Sequence, residues 1–202
     1  MLPRTLVFLS VCMTVPAATV PVIVYQVRMA AAAGDLNAAR RDLKQFRNAM
    51  GATPEYIEAL SWLGRSELTV RHYGLAEENA AEVRKLCLDS LGPRKPDTDA
   101  SLATALGASI EVQALAAVEQ GRRDQAVAFL REEVARWRDT SLRARIQKNL
   151  NLLTLEGKPA PALEVSRFVA GPAPRTLAQH RGHPVLVFFW AHWCSDCKQE
   201  IA

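Results

Sequence analysis

A chain of 202 residues, 49% of them hydrophobic, has the length for one or two domains and enough apolar side chains for a core. Its formal net charge is +4, and Arg and Lys are interspersed with Asp and Glu without a long run of like charge. This pattern reads as solvated helix faces and argues against nucleic acid as a partner. The four cysteines, Cys12, Cys87, Cys194 and Cys197, lie in unlike settings and do not form the spaced framework of a small disulfide-stapled domain.

The N-terminus carries one early charge, Arg4, and then an apolar core from Leu6 to Val15. Small residues in Val15-Pro16-Ala17-Ala18 offer a cleavage site, so residues 1–18 are expected to be a signal peptide. The alternative is an uncleaved membrane anchor reaching about residue 25, because apolar character resumes from Val20 to Tyr25. Pro16 and Pro21 oppose one uninterrupted spanning helix of about 20 residues. Leu9-Ser10-Val11-Cys12 is only faintly similar to a lipoprotein box, since Val11 is large for its place. Each route puts the rest of the chain outside the cytoplasm, in an exported, periplasmic or extracytoplasmic setting.

Residues 26–156 show helical periodicity dominated by Ala, Leu, Arg and Glu and predict a helical domain. Breaks are expected at Gly34-Asp35, Gly51 to Pro54, Tyr73-Gly74, Gly92-Pro93 and Gly121-Arg122. Thr53 is placed to cap a helix that opens with Pro54. The stretch Gly92 to Asp99 is the clearest internal loop and is expected to separate two helical groups. His72, beside a Tyr at a turn, reads as a surface residue, and Trp62 and Trp137 read as core. Cys87, inside a helical stretch, reads as a small buried apolar residue.

Three stretches share a pattern in which a turn glycine precedes a helix bearing a small residue: Gly34 to Ala39, Tyr73 to Ala76 and Gly121 to Ala126. Upstream of the second, Leu60 and Leu63-Gly64 supply a large-then-small pair. These features resemble tetratricopeptide repeats, whose units run about 34 residues, although the spacing from Ala39 to Ala76 to Ala126 is longer and uneven. The fold class expected is mainly α, a helical hairpin array. Its expected job is to hold a protein or peptide partner on a concave surface, with a passive spacer or dimerisation element as the alternative.

Gly157-Lys158-Pro159-Ala160-Pro161 ends the helical part, and residues 157–202 change character. Leu163 to Val169 alternates as a short edge strand would, Gly171 to Pro174 turns the chain, and Leu177 to Gly182 suggests a short helical turn. Val185 to Trp190 is a short apolar run rich in Val and Phe, which predicts a buried strand. Cys194-Ser195-Asp196-Cys197 follows at once, with Lys198, Gln199 and Glu200 suited to a helix. A cysteine at a helix start faces unpaired backbone N–H groups and the positive end of the helix dipole, which favour a thiolate. Cys194 is therefore the candidate nucleophile. Cys197, one turn later, is placed to resolve a mixed disulfide. Trp193 is expected to shield the pair from water.

Lys158 to Pro161, Thr176-Leu177, Arg181 to Pro184 and Phe189-Trp190-Ala191-His192-Trp193-Cys194 together resemble the opening of thioredoxin-like proteins of the TlpA and ResA type. Lys198 and Glu200 fit the same pattern. The resemblance spans about the last 45 residues. It implies the N-terminal part of an α/β thioredoxin-like fold, exported thiol-disulfide oxidoreductase activity, protein thiols or disulfides as substrates, and no bound cofactor or metal. Cys194 and Cys197 would be catalytic, with Trp190, Trp193, Asp196 and Glu200 in support. Thioredoxins commonly carry Gly-Pro where this chain has Ser195-Asp196. The Asp196 carboxylate opposes a thiolate at Cys194 and is expected to bias the pair toward a reducing rather than an oxidising role. The later strands and cis-proline of such a domain do not follow, so a longer protein or a completing partner is expected.

Zinc would want four ligands where His180 and His192 offer no finger spacing, and haem attachment would want histidine where Lys198 stands. The class opposed to an oxidoreductase is a helical scaffold whose redox segment is inert.

Overall fold

The computed structural model describes residues 21–160, 162 and 176–199. The chain divides between Thr154 and Leu155 into two compact units. The described part is mainly helical and contains no strand.

In the first unit the described helices are α1 (Val22–Ala32), α2 (Leu36–Met50), α3 (Pro54–Thr69), α4 (Tyr73–Leu91), α5 (Ala100–Glu119), α6 (Arg123–Arg136) and α7 (Leu142–Thr154). Their starts follow local chemistry. Asp35 accepts from the Ala38 amide at 2.8 Å, and Asp99 accepts from the Leu102 amide at 3.0 Å. Thr53 Oγ1 accepts from the Tyr56 amide at 3.3 Å, with Pro54 in the first helical position as expected.

Pairs α1–α2, α3–α4 and α5–α6 are each joined by a three-residue turn of one design. The middle residue is left-handed in all three, with φ of 77° at Gly34, 65° at Arg71 and 78° at Gly121. The next amide closes each turn: Asp35 to Ala30 at 2.9 Å, His72 to Glu67 at 2.8 Å and Arg122 to Ala117 at 2.8 Å. Five residues beyond the left-handed position stand Ala39, Ala76 and Ala126, all buried. The second turn therefore centres on Arg71 and not on Tyr73-Gly74, which lie in the first turn of α4. Gly74 drew the expected break because it is the only glycine nearby, while an arginine fills the left-handed position.

Odd-numbered helices adjoin in the order α1, α3, α5, α7, and each of α2, α4 and α6 packs on the two odd-numbered helices that flank it in sequence. Gly64 is buried on α3, and a Cβ there would stand 3.4 Å from Asn79 Cβ on α4, so the two helices approach closely at that level. Leu60 and Leu63 are buried beside it.

α5 is apolar almost all round, with Leu102, Leu106, Ala108, Ile110, Val112 and Ala116 all buried. It is the one described helix long and apolar enough to cross a membrane, at mean hydropathy 1.4, yet 61% of that apolar window is buried inside the fold. Packing against α3, α4, α6 and α7 accounts for its composition.

Three expectations need correction here. The helical domain starts before residue 26: Ile23, Val24 and Val27 of α1 are core residues, so an anchor reaching residue 25 would overlap the folded unit. The Gly92–Asp99 loop does not separate helical groups, because α4 and α5 on either side of it form the most extensive helix pair. The charges are not all solvated. Glu67 and Glu133 are buried among the helices, each held by arginine.

In the second unit, Leu177–His180 forms a 3-10 turn whose first amide, from Thr176, donates to Gln179 Oε1 at 2.8 Å. Val185 to Trp190 is neither a strand nor buried, and Leu186 is 92% exposed. A strand needs a neighbour to accept and donate its ladder hydrogen bonds, and the described residues supply none. α8 (Ser195–Gln199) completes the described part. The expected edge strand at 163–169, the turn at 171–174 and the signal at 1–18 lie outside the described residues.

Candidate redox site at Cys194 and Cys197

A tight turn through His192 and Trp193 delivers Cys194, whose amide donates to the Ala191 carbonyl at 3.0 Å. α8 begins immediately afterwards, and the Lys198 amide donates to the Cys194 carbonyl at 3.3 Å. One helical turn thus brings the two cysteines to the same edge, with Cα atoms 5.3 Å apart, and they are joined as a disulfide. The Cys197 amide also lies 3.2 Å from Cys194 Sγ, so a backbone donor faces that sulfur. Both cysteines are half-buried.

Trp193 is 77% exposed and Trp190 is 51% exposed. The expected shielding of the pair by Trp193 is therefore not seen; the indole projects into solvent. His192 and Lys198 are exposed as well. The Asp196 side chain and residue Glu200 lie outside the described residues. The described residues hold no cluster of three His, Cys, Asp or Glu side chains able to bind a metal.

Cys87 contrasts with this pair. It is fully buried between helices with its thiol 3.7 Å from the Leu102 carbonyl. Burial, with a smaller contribution from Asp99, pushes the thiol up to about 12. Such a thiol stays protonated and packs as an apolar residue.

Among residues read as surface or core, Trp62 and Trp137 both pack partly buried against the core. Trp137 Nε1 donates to Glu133 Oε2 at 2.7 Å, and His72 Nδ1 sits 2.8 Å from Glu67 Oε2 while the ring stays largely exposed. Sequence reasoning missed Arg28 and Arg65, whose guanidiniums lie 4.5 and 4.4 Å from the Trp62 ring centroid. Their only sequence signal is a tryptophan three residues before Arg65, which does not single out a site. No family model, curated protein or solved structure matches this chain.

Proposed function

We propose that Cys194 and Cys197 form a thiol-disulfide exchange centre of thioredoxin-like type, carried outside the cytoplasm in the same chain as a tetratricopeptide-like helical unit. The observation that carries this reading is the Cys194–Cys197 disulfide, closed within one helical turn and half-buried. In the reduced protein, the Cys194 thiolate attacks one sulfur of a substrate disulfide. The substrate S–S bond breaks, and its other sulfur leaves as a thiolate that takes a proton from water. Cys197, as thiolate, then attacks Cys194 Sγ, forms the intramolecular disulfide and expels the second substrate thiolate. The substrate gains two electrons and the cysteine pair loses two. A dithiol donor must reduce the pair before the next turnover.

The test is alkylation mapped by peptide mass on the full chain. Untreated protein should leave Cys194 and Cys197 unlabelled, and mild dithiothreitol should expose both. Reoxidation by glutathione disulfide should close them again, while Cys87 labels only after unfolding. Thiols at 194 and 197 that never pair, with no disulfide reductase activity, would leave the helical scaffold as the working part.

A further inference from the structure

We propose that a partly exposed patch of α1 and α3, centred on Arg28, Trp62 and Arg65, docks an acidic segment of a protein partner through its carboxylates. Each even-numbered helix packs on two odd-numbered ones, and α1, α3, α5 and α7 also adjoin one another. On α3 the partly exposed side carries Glu58, Trp62 and Arg65 at helical spacing, while Ile57, Leu60, Leu63 and Gly64 turn into the fold.

Arg28 of α1 and Arg65 of α3 both rest on the Trp62 ring. Contact with an indole face holds a guanidinium plane but satisfies none of its N–H donors. Neither arginine has a carboxylate or carbonyl acceptor among the described residues. Arg65 is half-buried, and burial lowers its pKa, with Arg145 and Arg28 adding like charge and Glu111 and Glu58 opposing them. A half-buried guanidinium without an acceptor is a standing demand for one.

The face is also built to keep its third arginine engaged. Arg145 of α7 lies across α5 where Gly107 leaves room; a Cβ there would stand 2.9 Å from Arg145 Nη1. Arg145 donates to Glu111 through Nε at 3.0 Å and Nη2 at 2.5 Å. Glu111 Oε2 is thereby engaged, and Glu111 makes no hydrogen bond to Arg65. What remains is a fixed pair of donor-only groups on an aromatic platform, the complement of a carboxylate.

Charge pattern selects the partner class. Glu58 and Glu111 on the same face would repel a continuous line of phosphates, and a recessed Arg65 is poorly placed to meet a flat layer of headgroups. Separated carboxylates on a peptide fit arginines interrupted by acids. The inference deepens the reading of the helical unit as a partner-binding surface and does not depend on the redox chemistry.

The experiment uses the full chain and a fluorescein-labelled peptide of alternating Glu and Gly, followed by anisotropy at low salt. The probe should bind, and the same peptide with Lys for Glu should not. Arg65→Gln and, separately, the exposed Arg28→Gln should weaken binding about tenfold or more, the loss of one charge-assisted hydrogen-bonded contact. Arg138→Gln, at an exposed arginine already facing Asp139, should leave binding unchanged. Cys194→Ser with Cys197→Ser should also bind normally, which keeps a failure here distinct from a failure of the redox reading. Equal binding of the Glu and Lys peptides, or unaltered binding by both arginine variants, overturns the proposal. So does binding to phosphatidylserine vesicles that requires Arg28 and Arg65 while the acidic peptide is ignored.

Discussion

Arg40 of α2 donates to Glu67 of α3, a carboxylate with no exposed surface. The other oxygen of Glu67 faces His72 in the α3–α4 turn. Further along, Arg84 of α4 donates at 2.5 Å to buried Glu133 of α6, which also accepts from Trp137. Each tie joins one hairpin to the next, so the helix stack is fixed in register by polar contacts as well as by apolar packing.

Removing one partner of such a tie should cost more than removing both. Arg40→Ala leaves Glu67 buried with only the exposed His72 beside it. Because Arg40 itself is partly solvated, the expected loss lies at or below the lower end of the range of about 3–5 kcal/mol for a fully buried pair. Arg40→Met combined with Glu67→Leu should recover most of it. Urea denaturation should show a lower midpoint at constant slope for the single variant. A single variant as stable as the unaltered chain would mean Glu67 is not held as described.

The shared turn makes a second prediction, about backbone strain. Gly34, Arg71 and Gly121 occupy the same left-handed position, and only Arg71 carries a side chain there. An L residue in that region is disfavoured by about 1 kcal/mol or more, partly offset by the greater freedom of glycine in the unfolded chain. Arg71→Gly should therefore stabilise by about 0.5 kcal/mol. Gly121→Ala, with open space around the new methyl, should destabilise by about 1 kcal/mol from conformation alone. Thermal melts that move both variants in the same direction would refute the equivalence of the turns.

The legible parts of the sequence were those written in short-range chemistry. Thr53-Pro54 specifies a helix start by itself, and Gly34 and Gly121 announce their turns because few other residues accept that backbone. Arg71 does not announce its turn, and the α6–α7 connection through Arg138, Asp139 and Thr140 contains neither glycine nor proline. The buried Glu67 and Glu133 were hidden for another reason. A glutamate reveals its burial only when the arginine from a distant helix is known, and Arg40 and Arg84 lie 27 and 49 residues away. Cys194 and Cys197 were legible because one helical turn sets their separation. Val185 to Trp190 was misread, since an apolar β-prone run becomes a strand only where a partner strand receives it.

Acid should loosen the α4 contact with the α5–α6 turn. Glu77 is held below the ordinary carboxylate range, first by its hydrogen bond from Arg122 at 2.6 Å and then by Gln120 at 3.0 Å, against opposing desolvation. A carboxyl group with a lowered folded pKa contributes stability that is present above its unfolded pKa, about 4.3, and is lost as pH falls through the folded value. Since both partners are about a third exposed, solvent screening keeps the contribution below about 1 kcal/mol. Glu77→Gln should be slightly less stable near neutrality and should lose less stability between about pH 5 and pH 3. Parallel pH–stability curves for the two proteins would show that Glu77 does not titrate as argued.

The linker between the cysteines sets the last prediction, which rests on the proposed exchange chemistry. Asp196 stands two residues after Cys194 and directly before Cys197, so the sequence sets a negative charge between the two cysteines. A neighbouring anion raises the free energy of the thiolate and leaves the disulfide almost untouched, which makes the pair a better reductant. Asp196→Asn removes that charge at nearly constant shape. Equilibration with glutathione should then find the variant pair about threefold to tenfold easier to reduce, the range expected for one partly solvated charge pair. Iodoacetamide should also label the reduced variant faster at neutral pH. An unchanged glutathione equilibrium would mean that the Asp196 carboxylate does not act on the sulfurs.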